Sequence, residues 1–140
     1  MACVVAEKMM IDWSRRCRAS ALVRQISPNF PKALANYFGT GPTDVNASIK
    51  THDKYVACLR ENGFEVTILP GLSEHPDCCF VEDHAVVAGD SALITNVGHD
   101  SRLGEKAAVE GALEEDLNLV LMESEARMDG GDVLQFGNQF

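Results

Sequence analysis

Apolar side chains recur at helical spacing in two stretches of the chain, and each stretch predicts a helix. The first lies between Gly41 and Gly63, where one face carries the residues Val45, Ile49, Val56 and Leu59. Thr43 or Asp44 can cap the start of this helix, and Gly63 can end it. The second helix opens at Ser101, Gly104 and Glu105 and runs to about Asp116, with its apolar face at Ala108, Ala112 and Leu113.

Short apolar runs bounded by turn residues predict the strands. They cover residues 21–26, 64–69, 79–81, 85–88, 91–95, 117–122 and 133–136. Gly89 and Asp90 predict the turn of a hairpin between 85–88 and 91–95. The fold class is therefore α/β, and the first twenty residues are expected to be an irregular lead-in to a single domain over 21–140.

The order of these elements repeats along the chain. Each pass contains a helix, a strand, a short polar loop and an acid-bearing strand, with EVTILP and DCCFVED in the first and NLVLMES and DGGDVL in the second. Such modules bury one face only against their neighbours, so two of them do not close a fold. Residues 133–136 lack a returning strand, which favours a chain truncated relative to a larger fold; an intact short protein is the alternative.

Composition and charge narrow the classes of function. The chain has 140 residues, 46% of them hydrophobic and 24% charged, which is typical of one globular domain. Its net charge of -9 and its lack of basic runs argue against a nucleic-acid partner. The acidic balance suits a small cationic ligand, but it is also what keeps many proteins soluble. Without an apolar stretch long enough for a leader or a membrane span, the expected location is the cytoplasm.

The cysteines do not indicate a disulfide scaffold or a metal site. Their number is odd, no C-x-x-C spacing occurs, and they are Cys3, Cys17, Cys58, Cys78 and Cys79. We therefore expect no metal and no cofactor.

Three carboxylates lie close together in the segment HPDCCFVED, namely Asp77, Glu82 and Asp83. In an extended strand Asp77 and Asp83 would share a face but lie about 20 Å apart, so a bend is needed to bring both to one ligand. A planar guanidinium prefers paired carboxylate acceptors, which adjacent Glu82 and Asp83 can supply. A solvated strand edge is the alternative interpretation.

Several motifs together resemble one enzyme family. PDCCFVEDHAVV, ALIT, GHDSRLGE and DGGDVL occur in that order, preceded by VRQISPNFPKAL and a helix with His52, Tyr55 and Arg60. Over roughly residues 22–134 the chain is similar to the dimethylarginine dimethylaminohydrolases. Arginine deiminases share the broad fold and chemistry, but the short spacing between the motifs favours the dimethylarginine branch. The resemblance implies a pentein propeller of five ββαβ modules, of which this sequence holds roughly two.

The resemblance also implies site residues. Asp83 would grip the guanidinium nitrogens, Leu34 would belong to a lid loop, and Arg102 would pair with the carboxylate of the substrate amino acid. The implied substrate-binding residues are Leu34, Asp77, Glu82, Asp83 and Arg102. Asp129 would orient the catalytic histidine. Without the resemblance, the sequence predicts that Arg102 is a helix-start residue paired with Glu105. It likewise predicts that DGGD is a glycine turn capped by Asp129 or Asp132.

The implied reaction is attack of a thiolate on the guanidinium carbon of asymmetric dimethylarginine or monomethylarginine, which yields citrulline and an amine and so regulates nitric oxide production. The family's histidine and nucleophilic cysteine lie beyond DGGDVL, so this sequence alone is predicted to be inactive. Cys79 is a poor substitute even with His75 or His84 nearby, because the neighbouring acids oppose thiolate formation. The alternatives are a non-catalytic binder of arginine derivatives and an interaction module that binds a partner chain or second copy through its open sheet edge.

Overall fold

The structure, a computed structural model, describes residues 4–6, 19–34, 43–136 and 139–140. The first of its two sheets has the order β1-β2-β3. Strand β1 (Val4–Ala6) pairs antiparallel with β2 (Ser20–Arg24), and β2 pairs parallel with β3 (Glu65–Leu69). Helix α1 (Val45–Glu61) connects the two parallel strands, because a parallel pair cannot be joined by a tight turn.

The second sheet repeats this arrangement. Strand β4 (Ala85–Ala88) pairs antiparallel with β5 (Ser91–Ile94), and β5 pairs parallel with β6 (Asn118–Leu121). Helix α2 (Lys106–Leu113) makes the crossover after a 3-10 helix over Asp100–Glu105. Each sheet with its helix is thus one ββαβ module, which confirms the α/β fold and its two repeats. Each repeat begins with the hairpin, whereas the sequence pattern placed the helix first.

Local capping residues explain why α1 was predictable. The Asp44 side chain accepts hydrogen bonds from the backbone of Asn46 and Ala47 at 2.9 and 3.1 Å, and the helix starts directly after it. Gly63 follows the helix with φ +87°, a conformation that glycine adopts without strain. The buried residues of the helix are His52 and Val56, whereas Ile49 is 38% exposed.

Two predictions about strands are wrong. Residues 79–81 do not form a strand: the backbone N–H of Phe80 donates to Asp77, and a 3-10 helix follows at Val81–His84. Residues 133–136 make only an isolated antiparallel bridge between Phe136 and Gln139. Strand β1 lies within the first twenty residues, for which the sequence pattern predicted no strand. Its three residues are too few to show a period. Most other lead-in residues lie outside the described ranges.

The hydrophobic core joins the two modules. Leu22 of β2 packs with residues from the second module, and the buried cluster comprises Leu22, Val81, Ala85, Ala92, Ile94, Val109 and Leu113. Polar and charged side chains are also buried, and they include Arg24, His84, Arg102 and Glu105. Buried charges are costly unless paired, so the contacts of these residues define the candidate site.

Candidate functional site

The acidic segment folds back on itself because consecutive turns precede the 3-10 helix at Val81–His84. Glu82 and Asp83 lie in the first turn of that helix. Asp83 Oδ2 is 2.5 Å from Arg102 Nη1, and the carbonyl oxygen of Asp77 lies 3.4 Å from Arg102 Nη2. Arg102 therefore contacts the side chain of Asp83 but only the backbone of Asp77. The segment bends where an extended strand was predicted, and the reach of both carboxylates to one ligand stays a prediction.

The glycine turn of DGGD lies directly against the acids. A Cβ added to Gly130 would lie 2.9 Å from the carbonyl oxygen of Ala85 and closer still to that of Glu82. A Cβ on Gly131 would lie 2.5 Å from Asp83 Oδ1. At Gly130, where the neighbouring atoms are backbone, only glycine permits such an approach, so the DGGD turn forms one wall around the carboxylates of Glu82 and Asp83.

The Glu82 carboxyl is partly buried, and its Oε2 has no hydrogen-bond partner among the described residues. Burial raises the pKa of Glu82, and the adjacent charge of Asp83 raises it further. A buried acceptor without a donor costs about 1–3 kcal/mol. Such an atom is suited to a ligand that brings its own donors.

Asp77 and Leu34 lie next to each other, while the role of Leu34 in a lid loop stays a prediction. The backbone N–H of Leu34 donates to Asp77 Oδ1 at 3.0 Å. Asp77 is buried, and burial raises the pKa of its carboxyl, whereas the Leu34 side chain is 44% exposed. An exposed apolar side chain beside a buried acid could cover the methyl groups of a ligand held there.

Arg102 is buried, and all three of its side-chain nitrogens have acceptors within the protein. Nε and Nη2 donate to Glu105 Oε2 at 3.1 and 2.9 Å, Nη2 also lies 3.1 Å from the carbonyl of Phe80, and Nη1 contacts Asp83. The pairing with Glu105 that the sequence alone favoured is thus present. Contact between Arg102 and a substrate carboxylate stays a prediction. Burial lowers the pKa of Arg102, but its hydrogen bonds with the two carboxylates outweigh burial and raise it.

Asp129 precedes the 3-10 helix at Gly130–Asp132 and is partly buried. Its Oδ1 accepts a hydrogen bond from the backbone N–H of Gly98 at 2.8 Å, so the side chain does not cap its own turn. The backbone closes the turn instead, because the N–H of Asp132 donates to the carbonyl of Asp129 at 3.0 Å. This hydrogen bond holds the Asp129 carboxylate in place. That Asp129 orients a catalytic histidine stays a prediction.

Sequence reasoning gave no site role to three buried polar residues behind the acids, Arg24, His84 and Glu105. His84 Nε2 lies 2.8 Å from Glu105 Oε2, and Arg24 Nη2 donates to the Glu105 carbonyl at 3.1 Å. Arg24 Nε and Nη1 find no acceptor in the described part of the chain. The available signal was a charged residue inside an apolar strand, as Arg24 is in ALVRQI.

Cys79 is buried, and the charged side chains that act on its thiol are acids. Burial, with the neighbouring Cys78, Glu82 and Asp77, raises the pKa of the Cys79 thiol to about 12. A thiol of that pKa is almost entirely protonated at neutral pH, which supports its assignment as a packing residue rather than a nucleophile.

Neither a metal centre nor a membrane span emerges from the described ranges. No three His, Cys, Asp or Glu side chains in them are arranged to hold a metal ion. No helix there combines the length and apolar character needed to cross a bilayer.

Comparison with known proteins gives one consistent result. The family model described as "N,N dimethylarginine dimethylhydrolase, eukaryotic" matches residues 41–138. N(G),N(G)-dimethylarginine dimethylaminohydrolase of Streptomyces coelicolor is 36% identical over 121 residues, which cover 84% of this chain and 46% of that protein. The Pseudomonas aeruginosa protein of the same name is 28% identical over 102 residues, which cover 71% of this chain and 40% of that one.

Solved structures show the same fold. A cysteine-to-serine mutant of the Pseudomonas aeruginosa enzyme complexed with citrulline has a TM-score of 0.79 at 24% identity, over 83% of this chain and 46% of that one. An adduct of a dimethylarginine dimethylaminohydrolase with S-methyl-L-thiocitrulline has a TM-score of 0.78 at the same identity and coverage. The chain spans about half the length of the relatives it matches.

Proposed function

Because this chain belongs to the dimethylarginine dimethylaminohydrolase family, we propose that it provides the guanidinium-binding wall of an enzyme that hydrolyses Nω-methylated arginines. The substrates are asymmetric dimethylarginine and monomethylarginine, and the products are citrulline and dimethylamine or methylamine. Consumption of methylated arginines would in turn regulate nitric oxide production. The names of the relatives support the reaction.

The observation that carries the proposal is the pair of acceptors at Glu82 and Asp83. Glu82 Oε2 is buried without a donor among the residues described, and Arg102 contacts only Oδ2 of Asp83. Asp83 Oδ1 therefore remains an acceptor beside Gly131. Two carboxylates on neighbouring residues suit a planar cation that donates along one edge.

In the complete reaction these residues bind and orient the substrate rather than form bonds to it. Glu82 and Asp83 would hold the guanidinium nitrogens and so present the central carbon to an attacking thiolate. The amine leaves with a proton from a histidine, which gives a covalent S-alkylthiouronium intermediate. Water then adds to its central carbon, the carbon–sulfur bond breaks, and citrulline and the thiolate are released. The family resemblance implies both the thiolate and the histidine outside this sequence.

Calorimetry with asymmetric dimethylarginine tests the binding role on this chain. Asp83→Asn and Glu82→Gln should each weaken binding by about tenfold or more, because hydrogen bonds to charged groups contribute about 1.5–3 kcal/mol. Binding to the wild type should also weaken as the pH falls through the raised pKa of Glu82, since the acid must ionise to attract a cation.

Asp116→Asn is the matched control, because it removes the same charge from an exposed position. It should leave the affinity unchanged. Absence of heat at millimolar ligand for the wild type, or equal weakening by Asp116→Asn, would refute the proposal. Binding without turnover agrees with both the proposal and the non-catalytic alternative, because this sequence alone is predicted to be inactive.

A second candidate function is self-association through β6, which lies at the edge of its sheet. Val120 and Leu121 on this strand are 56% and 61% exposed, and the exposed apolar residues beyond it are Leu134, Phe136 and Phe140. An exposed apolar edge strand is a template for another strand, and two copies can pair through the same edge about a twofold axis.

Light scattering after size exclusion should therefore show a mass that rises with concentration. Val120→Lys should keep the chain monomeric, because a charge on the edge strand opposes pairing. Ile49→Lys on α1, which places a lysine at another exposed apolar position, should not change the mass. A monomer at every concentration would exclude this second function.

A further inference from the structure

Glu105 occupies the centre of the polar network behind the acids. It is 1% exposed, and its Oε2 receives hydrogen bonds from Arg102 Nη2 and Nε and from His84 Nε2 at 2.9, 3.1 and 2.8 Å. Burial favours the neutral carboxyl, but the hydrogen bonds from His84 and Arg102 outweigh burial, so the pKa of Glu105 is lowered. Glu105 is therefore a buried carboxylate, and it does not line the ligand side of the network.

The position of Glu105 decides how Arg102 meets Asp83. A guanidinium has two edges that can each grip a carboxylate through paired N–H groups. Glu105 takes Nε and one hydrogen of Nη2, and the carbonyl of Phe80 accepts from Nη2 as well, so that Nη1 alone reaches Asp83, and it reaches only Oδ2. If Glu105 lost its negative charge, Asp83 would be the carboxylate that remains in an ion pair with Arg102. The guanidinium of Arg102 would then be attracted to both oxygens of Asp83.

We propose that Glu105 is a positioning residue that holds Arg102 on one oxygen of Asp83 and thereby keeps the other oxygen available for the guanidinium of the ligand. The inference rests on the proposed function, in which Asp83 binds that guanidinium. His84 also supports Glu105, because its Nε2 contacts the same oxygen as Arg102 does. Both His84 and Glu105 have fully buried side chains, so neither is available to a ligand.

The test compares two ligands that differ in charge at the end held by Asp83. Glu105→Gln keeps the size of the side chain and removes its charge. It should weaken binding of asymmetric dimethylarginine, which is cationic at that end, by about tenfold, and should change binding of neutral citrulline by less than about twofold. Glu105→Asp, which keeps the charge, should restore part of the lost affinity. A purely structural role would weaken both ligands equally, and that result, like an unchanged affinity for both, overturns the inference.

A crystal structure of the Glu105→Gln chain separates this inference from the proposed function. We expect Arg102 to contact both oxygens of Asp83 in the variant, whether or not the wild type binds a methylated arginine. Retention of the single-oxygen contact overturns the inference even if the wild type binds. If Glu105→Gln does not fold, as thermal unfolding would reveal, His84→Leu provides the same comparison. It removes one donor to Glu105 and should weaken the cationic ligand selectively, and an unselective or absent effect counts against the inference.

Discussion

Replacement of Gly130 by alanine is expected to lower the free energy of unfolding by about 3 kcal/mol, which is the upper range for forcing extra atoms into a packed interior. The added Cβ would lie 2.9 Å from the carbonyl oxygen of Ala85 and closer to that of Glu82. Both obstacles are backbone atoms, one within a 3-10 helix and the other at the start of β4, so neither can rotate away. Urea denaturation of the wild type and variant measures the loss.

Two other glycines provide controls for this prediction. Gly111 lies in α2 with open space at its Cβ position, so Gly111→Ala should increase stability by about 0.5–1 kcal/mol through helix propensity. Gly131→Ala would meet the side chain of Asp83, which can move. It should reduce ligand binding more than stability. Equal stability of Gly130→Ala and wild type would contradict the close approach of Gly130 to the backbone of Glu82 and Ala85.

The elements that could be predicted from sequence are those whose ends carry their own signals. Asp44 and Gly63 mark α1 through a side-chain cap and a left-handed residue, and both act within a few residues of the helix. The signal for the hairpin of β4 and β5 is also local, because Gly89 lies at its turn and adopts φ +62°. Such features depend little on the rest of the fold, so a pattern along the chain is sufficient.

The features that could not be predicted depend on distant contacts. Residues 79–81 have the composition of a strand, yet the carbonyl of Phe80 accepts a hydrogen bond from Arg102 at 3.1 Å instead of facing a strand. Strand β1 exists because β2 offers it a partner, which a run of three residues cannot reveal. In both cases tertiary contacts decide between conformations that local sequence leaves nearly equal.

The candidate site divides in the same way. The family resemblance identified Asp77, Glu82 and Asp83, but the way in which Asp83 is held came only from the structure. No role at the site was predicted for Glu105 or His84, and their burial follows from packing of the second module against the first. The second module provides Arg102 and Glu105. Through Arg102 they hold Asp83, which precedes the first strand of that module.

This dependence leads to the largest effect that we expect from a single substitution at a charged residue. Arg102→Met should lower the free energy of unfolding by about 3–5 kcal/mol, because it breaks ion pairs with Asp83 at 2.5 Å and Glu105 at 2.9 Å and leaves a buried carboxylate without its cation. It should also abolish binding of methylated arginines, since Asp83 loses its anchor. Urea denaturation and calorimetry measure the two losses.

The size of the Arg102→Met effect should depend on pH. The pKa of Glu105 is lowered in the wild type, so the stability gained from its ionised form is present above its ordinary pKa and is lost as the pH falls through the lowered value. The difference between wild type and Arg102→Met should therefore shrink in acid, where Glu105 is protonated in both. Arg127→Met breaks an exposed pair with Asp100 at 3.1 Å and should cost less than about 1 kcal/mol. A similar cost for Arg102→Met and Arg127→Met at neutral pH would contradict the assignment of Arg102 to a buried ion-pair network.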